Sequence, residues 1–229
     1  MKKKYYTKDD NDVLYYMTQH AAETLEEYHH IIKQFHETKK KFVDDYRFDK
    51  PKDNHESVAL LKRVEEHYNC DIFDGEISEY GVVQRALGDC FLISVLCKLG
   101  SYSDIVRSLF VEPEIKSGSV CIKFQHMKRP FYIIIDTLVP FRNDEFPYYA
   151  CPRTNKYSYW VCLVEKAFCK LMGGYSQIRG NERIVIDIIK GWYSKKYCME
   201  FIKEKTSFDF FAKMLKDSCW IFASSNSEI

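Results

Sequence analysis

The stretch Gln84-Arg85-Ala86-Leu87-Gly88-Asp89-Cys90-Phe91-Leu92 holds the residue types that a cysteine nucleophile requires. The reactive species is the thiolate, which is favoured at a helix N-terminus, where the dipole and unsatisfied N–H groups meet it. Gly88-Asp89 puts a flexible residue and a capping side chain directly before Cys90. Attack on a carbonyl also needs donors for the oxyanion that develops. The Cys90 backbone N–H is one candidate. The Gln84 side-chain amide, upstream on a loop long enough to reverse direction, is the other. Cys90 is therefore read as the nucleophile, Gln84 as an oxyanion donor, and Gly88 and Asp89 as substrate-facing loop residues.

Such a thiol needs a histidine to take its proton and a third group to orient that ring. The histidine that follows Cys90 is His126, beside a predicted strand, and it reads as a strand or turn residue. Asn226 has no histidine near it to orient. His20, His29, His30 and His36 lie on a predicted N-terminal helix with no second ligand face, so they read as surface or packing residues.

The elements that would position this chemistry are legible from periodicity. Leu14, Met17, Ala21, Leu25, Tyr28, Ile32 and Phe35 recur in steps of three and four, which predicts one long amphipathic helix, with Asp9 and Asp10 able to cap it. Residues 46–57, with Pro51, Asp53 and Asn54, read as a linker, followed by a short helix over 58–68. Residues 87–99 are apolar on almost every face and predict a buried helix, extended by more helix over 105–110. Two strands are expected over 120–124 and 131–136. A second buried helix is expected over 159–172, closed by Gly173-Gly174. Residues 184–193 form a short apolar segment, 207–215 an amphipathic helix, and 219–223 a final strand. Cys97, Cys162 and Cys169 read as core thiols, Trp160 and Trp192 as core anchors, and Glu165-Lys166 as a surface pair.

Composition narrows the function classes. Hydrophobic residues make up 46% of the 229, enough for a sizeable core. A formal net charge of +1 offers no general field for nucleic acid or an anionic membrane, and Lys2-Lys3-Lys4 reads as a solvated tail. No apolar run approaches the ~20 residues of a membrane span. Nine cysteines at irregular spacing, with no Cys-x-x-Cys, suggest neither a zinc ribbon nor a redox pair and point to thiols in a reducing, cytoplasmic compartment.

The nucleophile segment resembles the calpain motif Q-G-x-L-G-D-C-W-L-L, departing at Arg85 and Phe91. Tyr159-Trp160-Val161-Cys162-Leu163-Val164-Glu165-Lys166-Ala167-Phe168-Cys169-Lys170-Leu171 resembles the calpain helix F-W-x-x-L-L-E-K-A-Y-A-K-L, followed by Gly173-Gly174-Tyr175. Ile135 to Asn143 resembles V-D-D-x-L-P-T-x-N, and Gly191-Trp192-Tyr193 lies where that family reads G-G-x-x-E-W-Y. The matches come in the family's order. Lys41 to Asp45 and Phe73-Asp74-Gly75 are weaker echoes.

The resemblance implies an α+β, mainly helical fold: the first, nucleophile-bearing subdomain of a papain-like protease core. It would span residues 51–229, after an N-terminal helix and linker over 1–50. It implies proteolysis of protein substrates. The histidine and asparagine would come ~130–150 residues after Cys90, in a second subdomain. Ser218-Cys219-Trp220-Ile221-Phe222 resembles the segment at that boundary, so the sequence reads as cut there, and a non-catalytic binding or regulatory module is the alternative. Calcium is the cofactor that the family implies. The candidate loop is Asp74, Gly75 and Glu79, but Ser158 stands where a second acidic ligand is expected, so the site is expected to be weak or absent. Asp71 and Glu79 otherwise read as solvated charges. The N-terminal helix would pack on the domain or on a partner helix.

Overall fold

A computed structural model describes residues 23–44, 60–67, 72–73, 77–126, 128–142, 146–153, 159–191, 204–216 and 220–222. Expectations for Leu14 to Ala21, the 46–57 linker, Asp71, Asp74, Gly75, Ser158, Trp192 and Asn226 lie outside the described residues. The chain divides into two compact units, Met1–Trp192 and Tyr193–Ile229.

In chain order, the first unit holds α1 (Leu25–Thr38), β1 (Leu60–Arg63), α2 (Val64–His67), β2 (Val82–Val83), α3 (Cys90–Gly100), α4 (Ser103–Ser108), β3 (Ser119–His126), β4 (Arg129–Asp136), β5 (Leu138–Arg142), β6 (Phe146–Pro147), β7 (Cys151–Pro152), α5 (Trp160–Met172) and α6 (Glu182–Lys190). Among the described residues, helices therefore mix with three small antiparallel sheets, β1-β5-β6, β2-β7 and β3-β4, an α+β arrangement. The second unit contributes α7 (Glu204–Lys216). Residues 220–222, expected in a strand, have no regular structure. Among the described residues no helix is long and apolar enough to cross a membrane.

The long N-terminal helix is corrected at its start. Thr24 is extended and caps α1: its Oγ1 accepts the Glu27 N–H, and the Glu27 carboxylate accepts the Thr24 N–H at 2.6 Å. Glu23 sits in a β-bridge to Tyr132 and takes the Ile134 N–H on its carboxylate. An unbroken stripe across 14–35 is thus interrupted by a capping box, which periodicity alone does not show. From there α1 packs Tyr28 onto Cys121 and Ile134.

The short helix expected over 58–68 is also corrected. Leu60–Arg63 pairs with Leu138–Phe141 as a strand, and among the described residues of this stretch the helix is Val64–His67. Arg63 explains the choice: its guanidinium donates to the carbonyls of Phe42 and Gly118 and to Thr137 Oγ1, contacts an isolated helix could not offer.

Helix α5 is buried along its whole length. Glu165 and Lys166, expected at the surface, are 2% and 3% exposed. Lys166 Nζ donates to Asp136 Oδ1 at 2.5 Å and to the Leu138 carbonyl at 2.6 Å. Lys170 Nζ, one turn on, reaches Asp44 Oδ2 at 2.7 Å, Glu23 Oε1 at 3.1 Å and the Ile134 carbonyl at 2.7 Å. The Glu-Lys pair is surrounded on every helical face by Cys162, Leu163, Val164, Ala167 and Phe168. That uniform apolar context was the signal for burial, and a buried charge must be paired.

Helix α3 docks through Leu92, Val95, Leu96 and Leu99, all fully buried. At its end a Cβ on Gly100 would stand 2.3 Å from the Ser78 carbonyl oxygen, so only glycine allows α3 to lie against the segment that runs into Gln84. Phe91 packs edge-on to Phe168 of α5 at 6.2 Å between centroids, tying the two helices together.

Candidate active site

Cys90 is the first residue of α3 and is exposed. Cys90, Ser94, Cys97 and Lys98 form the stripe of α3 that the core leaves uncovered, so the helix is not buried on every face. Cys97, expected in the core, is only half-buried for the same reason. No atom lies within 4 Å of where a Cβ on Gly88 would point, so the approach to the thiol over Gly88 is open.

Asp89 differs from its expected role. It is the N-cap residue, and its carbonyl accepts the Leu92 and Ile93 N–H groups at 2.8 and 3.1 Å. Its carboxyl makes no cap bond and is fully buried, turned under the loop rather than towards a substrate. Gln84 Nε2 donates to Asp89 Oδ1 at 3.4 Å and to the Leu87 carbonyl at 2.7 Å. The Gln84 amide therefore lies within its own loop. To serve an oxyanion it has to leave Leu87, whereas the longer bond to Asp89 is the weaker of the two.

Beneath the loop, Glu165 faces Asp89. Both Glu165 carboxyl oxygens accept the Ala150 N–H, at 3.0 and 3.1 Å, and Cys162 Sγ donates to the Ala150 carbonyl at 3.0 Å. Ala150 leads into β7, which pairs Cys151 with Val83 and Pro152 with Val82, just before Gln84. Arg85 Nε then donates to Cys151 Sγ at 2.8 Å. Glu165 thus reaches the nucleophile loop by two routes, through Asp89 to Cys90 and through Ala150 and β2 to Gln84. Reading Glu165 as a surface residue missed this.

Two buried carboxyls in contact cannot both ionise cheaply. Burial pushes Asp89 up from 3.8 to about 6, opposed by its hydrogen bonds to Glu165 and Gln84. Burial and then the neighbouring Asp89 charge hold Glu165 well above the ordinary carboxyl range. One proton shared between them relieves the repulsion, and among the described residues Asp89 Oδ2 has no hydrogen-bond donor.

A sign follows for stability. An acid whose folded pKa exceeds its unfolded value binds its proton more tightly when folded. Its contribution is fully present below pH 3.8 and is lost as pH rises through about 6, with Glu165 extending the loss upwards. Urea midpoints measured across this range should fall with rising pH, and Asp89→Asn or Glu165→Gln should flatten that slope.

His126 does not stand free as a base. Its Nδ1 faces Asp187 Oδ2 at 3.7 Å, in the contact between β3 and α6. Glu79 accepts a hydrogen bond from Ser101 Oγ at 2.5 Å, which pulls its carboxyl below the ordinary range. Among the described residues no three His, Cys, Asp or Glu side chains gather as metal ligands. Glu79 is engaged by Ser101, whereas Asp74, Gly75 and Ser158 lie outside the described residues, and no step is derived through that ion.

Comparison with known proteins bears on this geometry. A family model described as calpain family cysteine protease matches residues 30–227. The chain is 26% identical over 136 residues to a calpain of Schistosoma mansoni, covering 57% of this chain and 18% of that protein. It is 33% identical over 115 residues to calpain clp-4 of Caenorhabditis elegans, covering 48% and 16%. It is 28% identical over 142 residues to Calpain-A of Drosophila melanogaster, covering 60% and 17%. The chain spans less than a fifth of the length of these curated relatives.

Proposed function

Because the chain belongs to the calpain family of cysteine proteases, we propose that it is the nucleophile-bearing part of a cysteine endopeptidase acting on protein substrates. The observation that carries this reading is Cys90, exposed at the first position of α3 beside an open Gly88. In this reading the Cys90 sulfur bonds to the peptide carbonyl carbon, and the carbonyl π pair moves onto oxygen. The Cys90 N–H and the Gln84 amide, once swung from Leu87, receive that charge. The thiol proton passes to a base and then to the leaving amine as the C–N bond breaks. His126 Nδ1 faces Asp187 Oδ2 in the contact between β3 and α6, and this reading assigns the base to a histidine of the second subdomain that the calpain resemblance implies. A cytoplasmic setting accords with the thiols of Cys90, Cys97, Cys121, Cys151 and Cys162.

One observation favours a second reading, a calpain-like binding or regulatory module. The Gln84 amide already donates to the Leu87 carbonyl and to Asp89. Peptide hydrolysis by the purified chain, with a histidine-bearing second subdomain of a calpain supplied in trans, separates the two. Turnover that Cys90→Ala abolishes supports the endopeptidase. A folded chain whose Cys90 reacts with a peptidyl epoxide, yet which releases no product in that mixture, supports the module.

A further inference from the structure

We propose that the cavity lined by Arg85, Ala86, Arg142, Pro147 and Tyr148 is a substrate subsite for an acidic side chain. The proposal rests on the endopeptidase reading and adds a specificity that the reading does not itself contain. The cavity measures about 320 Å³, room for one carboxylate side chain with its water. Its floor is apolar, since Pro147 and Tyr148 are buried, whereas both arginines are exposed at its rim. Arg85 and Ala86 belong to the loop that joins Gln84 to Cys90, so the cavity wall and the nucleophile share one loop.

The Arg85 guanidinium is oriented before any ligand arrives. Its Nε is held by Cys151 Sγ at 2.8 Å, and its central carbon lies 4.8 Å from the centre of the Phe146 ring. Cys151 in turn is fixed by β2 and by the clamp of Glu165 and Cys162 on Ala150. These contacts use one N–H and one face, leaving the terminal N–H fork for a planar acceptor. Among the described residues neither Arg85 nor Arg142 forms a salt bridge. A carboxylate in a cavity lined by two guanidinium groups accepts charge-assisted hydrogen bonds, and the ordering cost on the Arg85 side is already met. The calpain motif has glycine where this chain has Arg85, so the charge belongs to this chain's own loop.

The test uses peptidyl epoxides that alkylate Cys90, with a single Glu moved through the positions on each side of the electrophile and compared with Gln at the same place. Adducts are located by mass spectrometry. At one position Glu should react about tenfold faster than Gln, and the ratio should shrink in high salt. Arg85→Ala and Arg142→Ala should bring the ratio towards one, and Arg85→Lys should leave it intermediate, because the charge remains without the fork. Arg85 is exposed, so circular dichroism should show these variants folded. A ratio near one at every position, with Cys90 still labelled, overturns the subsite alone. Failure of every peptide to label Cys90 in the folded chain overturns the endopeptidase reading and the subsite with it.

Discussion

Replacing Lys166 with alanine is expected to lower the unfolding free energy by about 3–5 kcal/mol, because it strands the Asp136 carboxylate in the core. Lys166 is 3% exposed and Asp136 4%. Burial pushes the Lys166 ammonium below its ordinary value, and Asp136 pulls it back. Asp136 has further duties: its Oδ2 accepts the Asp44 N–H and its Oδ1 the Leu138 N–H, both at 2.9 Å. A double replacement by Met and Leu should therefore recover only part of the loss, since those two N–H groups then lack an acceptor. Chemical denaturation of the three variants checks this. A loss under about 1 kcal/mol for Lys166→Ala would mean that the pair is solvated.

Glu165→Ala should cost about 3 kcal/mol or more and should also slow alkylation of Cys90. The stability loss combines a cavity with an Ala150 N–H left without its acceptor. The reactivity loss follows from the second connection, in which Glu165 faces Asp89 beneath the nucleophile loop. Glu165→Gln separates the two effects. Its amide oxygen can still receive Ala150, and its amide N–H can donate to Asp89, so stability should be largely retained. If Glu165→Ala unfolds the chain at low denaturant, the Gln variant's pH profile of alkylation remains readable. Unchanged reactivity in both variants would reduce Glu165 to a packing residue.

The helices and strands that carry the site were legible because their signals are local and strong. Cys90–Gly100 and Trp160–Met172 are dense apolar runs closed by glycine, and Ser119–His126 with Arg129–Asp136 is a pattern of two apolar strands. The errors arose where a tertiary partner decided the outcome. Leu60–Arg63 is a strand because residues 138–141 lie alongside it, and α1 begins at Leu25 because Thr24 and Glu27 cap each other. Neither the β5 pairing nor the Ile134 and Lys170 contacts of Glu23 can be read from neighbouring residues.

The candidate site was legible in part. Gln84, Gly88 and Cys90 sit on one loop and helix start, as residue type and spacing led one to expect. Asp89 was placed correctly in sequence but wrongly in role, since a capping residue and a buried carboxyl look identical in a motif. Glu165 and Ala150, about 60–75 residues from Cys90, enter only once α5 and β7 are packed beneath the loop. Arg85 showed itself as a bulky departure, and its orientation came from Cys151 and Phe146.

The account turns on a reactive sulfur standing open at residue 90 in a folded chain. Timed reaction with a peptidyl epoxide, followed by peptide mapping, measures this directly. The adduct should form on Cys90 well ahead of half-buried Cys97 and of buried Cys121, Cys151 and Cys162. A chain that keeps its fold while Cys90 stays unmodified, or reacts no faster than Cys97, would contradict it.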